Sequence, residues 1–246
     1  PQIAKIDYQL SDKNIARFSY MGDIFRSKNS NFDRKNPYQV GGEIFGCTNK
    51  GHDIEVISLM VETIMLSGAK SFLVEIGDVS IINRHISLLS LGCMEKSKLI
   101  DIINSKNVDE IKTYLKYLSV SKNKIEFLSE LININGDIKC IKEIRLLLKK
   151  FNIDDNKTLS DVTYIANKIL SKYNSVNINI DMSNLYNLDY QTSLSFSVFI
   201  SNFRKAIATG GRYIAYIKNN NPRLASGFSL DLKDLFFLIK EGDINV

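Results

Sequence analysis

In RFSYMGDIFR, residues 17–26, the apolar Phe18 and Tyr20 alternate with polar or small neighbours, and Ile24 stands between Asp23 and Phe25. This period of two predicts a half-buried strand, closed by Arg26. From 27 to 36 the composition turns to Ser, Asn, Lys, Arg and Asp with one Phe, which predicts a basic loop joining antiparallel strands over an open site. Pro37 restarts the chain. In YQVGGEIF the alternation sends Gln39, Gly41 and Glu43 to one face and Tyr38, Val40 and Ile44 away from it, with Gly42 breaking strict register.

The opening PQIAKI predicts a helix running toward Leu10. After the hairpin, Val56, Leu59, Met60, Thr63 and Ile64 fall at helical spacing, with Asp53 near the start and Gly68 at the end. Asp53 and Glu55 read as helix-start charges, not as a metal pair. SFLVEIG is a short strand, and 79–91 is expected to be helical. From 92 to 175 the segments VDEIKTYLKYL, NKIEFLSELI, IKCIKEIRLLLKKF and LSDVTYIANKILSKY carry apolar residues at steps of three and four, which predicts a helical subdomain over 93–175. A turn at Asn135 and Gly136 and the polar stretch 154–157 separate its helices. Its amphipathic faces either pack on the core, the favoured reading, or meet a partner. VNINIDMS, YQTSLSFSVFI and ATGGRYIAYI then return to strands, and ASGFSLDLKDLF is strand followed by helix.

Composition bounds these readings. A chain of 246 residues, 44% hydrophobic with three prolines, is an ordinary globular protein. Its net charge of +5 comes from lysines scattered among acids, without the dense stripe that nucleic-acid binding needs. Cys47, Cys93 and Cys140 are odd in number and far apart, so they read as buried or free thiols in a reducing compartment. His52 and His85 are isolated and read as structural. With no apolar run long enough to span a membrane and no signal peptide, a cytoplasmic location is expected.

The candidate chemistry lies on the strands. Arg26, Gln39 and Glu43 offer a planar fork, an amide and a charge, a set suited to the ammonium, imidazole or carboxylate of a small polar molecule. The competing reading is a hairpin whose polar face meets water. Gly210 and Gly211 permit close backbone approach to a ligand, with Arg212 and Tyr213 as cation and ring at its edge.

The run R-x-x-Y-x-G-D-I-F-R, a basic loop and Y-Q-V-G-G-E-I-F-G resembles motif 2 of class II aminoacyl-tRNA synthetases in its histidyl form, and looks closest to the paralogue family that serves as the regulatory subunit of ATP phosphoribosyltransferase. Carried over, Arg26 matches the motif 2 arginine, and Gln39 and Glu43 match the amino-acid-binding Gln and Glu. Y-N-L-D-Y-Q-T-S resembles the family's R-G-L-D-Y-Y-T-G, with Tyr190 retained, Tyr186 in place of the arginine and Gln191 in place of the second aromatic. G-G-R-Y matches through Arg212 and Tyr213, with Ile214 in place of an Asp. The last segment resembles motif 3, but Asp234 stands at the ATP-binding arginine, Lys233 at the Glu and Asp231 at the Gly.

The resemblance implies an α+β fold, a class II synthetase-like, mostly antiparallel sheet flanked by helices with a helical insertion, from which the motif 1 region and an anticodon-binding domain are missing. It implies a non-catalytic subunit needing no cofactor or metal, which assembles with the short-form ATP phosphoribosyltransferase catalytic subunit, as a homodimer within a hetero-oligomer, and takes histidine as effector on Arg26, Gln39, Glu43, Tyr190, Gln191, Arg212 and Tyr213. A synthetase-like ligase forming an adenylate is the alternative; an acid at Asp234 opposes triphosphate binding there. Neither nucleic acid nor membrane is expected as a partner.

Overall fold

The computed structural model describes residues 2–10, 14–25, 35–46, 49–185, 191–201, 203, 205–215 and 222–240. Helix α1 (Gln2–Leu10) precedes the hairpin of β1 (Ala16–Asp23) and β2 (Tyr38–Phe45). Half-buried and exposed residues alternate along all of β1, as its pattern predicts. The antiparallel register runs unbroken from Ala16 opposite Phe45 to Asp23 opposite Tyr38, so the break expected at Gly42 is absent. Gly42 serves packing instead: a Cβ there would lie 3.1 Å from both Leu59 Cδ2 and Phe228 Cε1.

Helix α2 (Lys50–Met65) starts at Asn49, whose side chain accepts from the Gly51 and His52 amides at 2.8 and 3.4 Å. Gly68, beyond its end, has a φ of 92°, a left-handed conformation that favours glycine. The buried stripe is Asp53, Val56, Ile57, Met60, Val61 and Ile64, while the predicted core residue Leu59 is 47% exposed. After β3 (Phe72–Asp78), α3 (Ser80–Ser87) is shorter than the expected 79–91. The chain leaves the helix at Leu88, and Ser90 takes a left-handed φ of 54°.

Five helices follow: α4 (Cys93–Asn104), α5 (Val108–Tyr117), α6 (Lys122–Asn133), α7 (Cys140–Lys150) and α8 (Asn156–Lys172). The first of them buries only Leu99, Ile102 and Ile103, too sparse a stripe to stand out in sequence, and Glu95 caps it by accepting from the Gly92 amide at 2.8 Å. The expected turn at Asn135 and Gly136 is a two-residue strand, β4 (Asn135–Gly136), paired with Asp181 and Ile180 of β5 (Val176–Asp181). Strand pairing over such a distance has no local signature. Strands β6 (Gln191–Phe199), β7 (Ala208–Ala215) and β8 (Arg223–Asp231) and helix α9 (Leu232–Lys240) complete the chain.

Among the described residues eight strands run in the order β1-β2-β8-β7-β6-β3-β5-β4. The pairings β2 with β8, β7 with β8 and β4 with β5 are antiparallel, like the hairpin. One compact unit comprises Pro1–Val74, Asn167–Asn177 and Phe196–Val246, and a second comprises Glu75–Ala166 and Ile178–Ser195.

In the first unit, cross-strand partners share a face, so the odd-numbered residues of β2 and β8 line one side and the even-numbered ones the other. On the odd face Phe45 packs with Ala215 and Ala225 against Ile3 and Ala4 of α1, and against Phe18 and Tyr213. In the second unit the His85 ring lies 4.2 Å from Phe127 and its Nδ1 is 2.8 Å from the Ile81 carbonyl, a structural placement. Arg84 holds Asp155 through bonds of 2.9 and 3.2 Å, which gives a packing role to part of the polar stretch before α8. No helix among the described residues is long and apolar enough to cross a membrane.

Candidate functional site

Registers across β1, β2, β8 and β7 place the candidate side chains. Phe18, Glu43, Gly227 and Gly211 form one cross-strand row; Tyr20, Gly41, Ser229 and Thr209 form the next; Gly22, Gln39 and Asp231 follow. All lie on the odd face, together with Tyr213, which stands opposite Ala225. Gln39 and Glu43 therefore do share a face.

The glycines of these rows are seats for the functional side chains. A Cβ on Gly41 would come within 2.5 Å of the Tyr20 ring and of the Phe228 carbonyl oxygen, and one on Gly227 within 2.7 Å of Glu43 Cγ. Tyr20 thus lies across β2, and Glu43 across β8, which only glycine permits beneath them. The Tyr213 hydroxyl reaches diagonally and donates to Glu43 Oε2 at 2.5 Å.

Burial holds the Glu43 carboxyl above its ordinary range, and the Tyr213 bond lowers it in part. Burial, then the Glu43 charge, pushes the Tyr20 phenol above the usual tyrosine range. Glu43 thus accepts from the Tyr213 hydroxyl, and its charge acts on the nearby Tyr20 phenol. A half-buried carboxylate with an amide four residues away on the same strand face suits a cationic or N–H-bearing ligand such as an ammonium or imidazole.

A raised folded-state value means that protonated Glu43 favours the fold. That contribution is complete below the unfolded carboxylate pKa and is lost as pH rises through the folded value. Glu43→Gln is expected to match the wild type at about pH 4 and to be more stable at about pH 7. Urea midpoints at both pH values check this, and a lower midpoint for the variant at the higher pH sinks it.

Arg212 is not on this face. As the neighbour of Tyr213 in a strand it points to the opposite side, and it stands opposite Ser226 in the row of Ile44 and Arg17. There Asp53, only 1% exposed, takes the guanidinium on both oxygens, with Nε 3.3 Å from Oδ1 and the second nitrogen on Oδ2. Burial raises the Asp53 carboxyl and Arg212 lowers it in part. One helical turn carries a second fork, Glu55 receiving Arg17 at 2.6 and 2.9 Å in the open. The expectation that Arg212 and Tyr213 meet one ligand together is corrected accordingly.

Asp53 and Tyr20 were the residues that pattern alone undervalued. The alternation of β1 marks Tyr20 as inward, while no local signal links Asp53 to a partner 159 positions away. Arg26, Tyr186 and Tyr190 lie outside the described residues, as does the side chain of Gln191, which opens β6. Asp234, at the place of the motif 3 arginine, is 8% exposed and paired with Lys205 at 2.6 Å. Lys233 donates to the Asn36 carbonyl at 3.0 Å. Among the described residues no group of three or more His, Cys, Asp or Glu could hold a metal ion.

The eight-stranded sheet, antiparallel in the pairings described and accompanied by helices, is a class II aminoacyl-tRNA synthetase-like fold. The histidyl-tRNA synthetase from Nostoc sp. PCC 7120 superposes with a TM-score of 0.78 at 16% identity, over 99% of this chain and 59% of that one. The family described as histidyl-tRNA synthetase matches residues 1–235, and the chain belongs to that family. The ATP phosphoribosyltransferase regulatory subunit of Marinomonas sp. (strain MWYL1) is 29% identical over 242 residues, 96% of this chain and 62% of the relative. The chain thus spans less than two thirds of that relative's length. The ATP phosphoribosyl transferase (HisG:HisZ) complex from Thermotoga maritima contains a chain that superposes with a TM-score of 0.72 at 16% identity, over 94% of this chain and 78% of that one.

Proposed function

We propose that this chain is the synthetase-like part of a non-catalytic regulatory subunit, which assembles with the short-form catalytic subunit of ATP phosphoribosyltransferase and transmits feedback inhibition by histidine. Similarity to a regulatory subunit over 96% of the chain is the observation that carries the reading. The geometry supports it from two sides. The face with Gln39, Glu43 and Tyr213 offers an acceptor for an imidazole or ammonium, whereas the place of the ATP-binding arginine holds a buried acid already neutralised by Lys205. Residues 93–175 act as a helical insertion, and the subunit works in the cytoplasm as a homodimer within the hetero-oligomer.

Regulation then follows from linkage. Histidine shifts the assembly toward the quaternary state that binds it better, by the difference in affinity and no more. Mixing the protein with the short-form catalytic subunit is expected to raise the rate of phosphoribosyl transfer, and histidine to lower it again. Combining Glu43→Ala with Gln39→Ala removes the histidine response and leaves the activation. ATP–pyrophosphate exchange dependent on histidine, with no effect on the catalytic subunit, overturns the proposal in favour of a ligase.

A further inference from the structure

We infer that Asp53 is a positioning residue for the Glu43 face, acting through β7 from the opposite side of the sheet. The inference rests on the reading of that face as the effector site.

Adjacent residues of one strand carry the argument. Arg212 is held from α2 by both oxygens of Asp53, and Tyr213 donates to Glu43 on the other face at 2.5 Å. A strand rotates about its own axis as a unit, so a displacement of one side chain's anchor displaces its neighbour in the opposite sense. Asp53 is 1% exposed and has almost no water to replace the guanidinium, while Arg212 is 24% exposed, less than half as open as Arg17. The Glu55–Arg17 pair is a ready comparison. It ties the same helical turn to β1, but with side chains 44% and 53% exposed it transmits little. Glu43 sits on β2, between the two anchored strands in the row of Gly227 and Gly211, so its single phenolic partner on β7 is the contact that a shift of β7 breaks first.

The test uses the whole chain and two readouts. Carbon-detected NMR titration of the Glu43 carboxyl reads the Tyr213 bond without any ligand. Loss of that donor raises the Glu43 value by about half a pH unit or more. Asp53→Asn is expected to raise it as far as Tyr213→Phe does, with no further rise in the double variant, while Glu55→Gln leaves it in place. A purely structural Asp53 lowers the melting temperature and leaves the titration unmoved, which overturns the inference; additive shifts in the double variant overturn it as well. Should Asp53→Asn fail to fold, Arg212→Lys keeps the charge, loses the fork and is expected to behave alike.

Histidine titration is the second readout. About a tenfold loss of affinity in Asp53→Asn, not deepened by Tyr213→Phe, supports the positioning role at the effector site. Histidine binding that ignores Glu43→Ala, or no binding by the wild type, breaks the reading of the face as an effector site. The carboxyl titration still decides whether Asp53 positions Tyr213.

Discussion

Arg212→Ala is expected to cost the fold about 3–5 kcal/mol, because it strands a carboxylate that has almost no access to water. Asp53 is 1% exposed, and its guanidinium partner is the group that offsets the burial of its charge. The pair need not add net stability compared with an apolar replacement; the damage comes from removing one member alone. The variant should therefore recover part of the loss when Asp53→Asn is added, and its deficit should shrink as pH falls and Asp53 takes up a proton. Urea unfolding of both variants at two pH values measures this. A single variant within about 0.5 kcal/mol of the wild type would mean that the ion pair is dispensable.

Phe45→Ala should cost about 3–5 kcal/mol for a different reason, the cavity it leaves. Phe45 is fully buried, meeting Phe18 edge-on at 5.8 Å between ring centroids and Tyr213 at 6.3 Å. Ile3 and Ala4 of α1 pack on the same cluster, so the substitution also loosens the only helix among the described residues that precedes the hairpin. Phe45→Leu keeps most of the volume and should lose less than half as much. Equal losses for the two would show that ring stacking, not volume, holds the cluster.

Local periodicity made most of the elements legible. The hairpin, the helix after it and four of the helices in 92–175 announce themselves through rhythms of two or of three and four, because burial on one face is what those rhythms record. What failed depends on long-range pairing. Asn135 and Gly136 have the composition of a turn, yet they pair with a strand some forty-five positions on. For the site, Gln39 and Glu43 were legible as neighbours on one face. Reading G-G-R-Y as one block merged Arg212 with Tyr213, although a strand's alternation already separates them. The partner of Asp53 was beyond sequence, since a lone acid in a first helical turn looks the same whether it faces solvent or a buried guanidinium. The motif 3 acid was legible as a departure, and its neutralisation by Lys205 was not.

The two described cysteines differ in a way that offers an experimental handle. Cys140 is buried in α7, and burial first, with nearby acids, pushes its thiol up to about 11. Cys93 opens α4 at the surface. Alkylating dyes attack the thiolate and need room to approach, so at neutral pH they should discriminate strongly between the two. In a Cys47→Ser background, one fluorophore would then mark the start of the helical segment, and a change in its emission on adding a partner protein would tell whether that partner covers the start of α4.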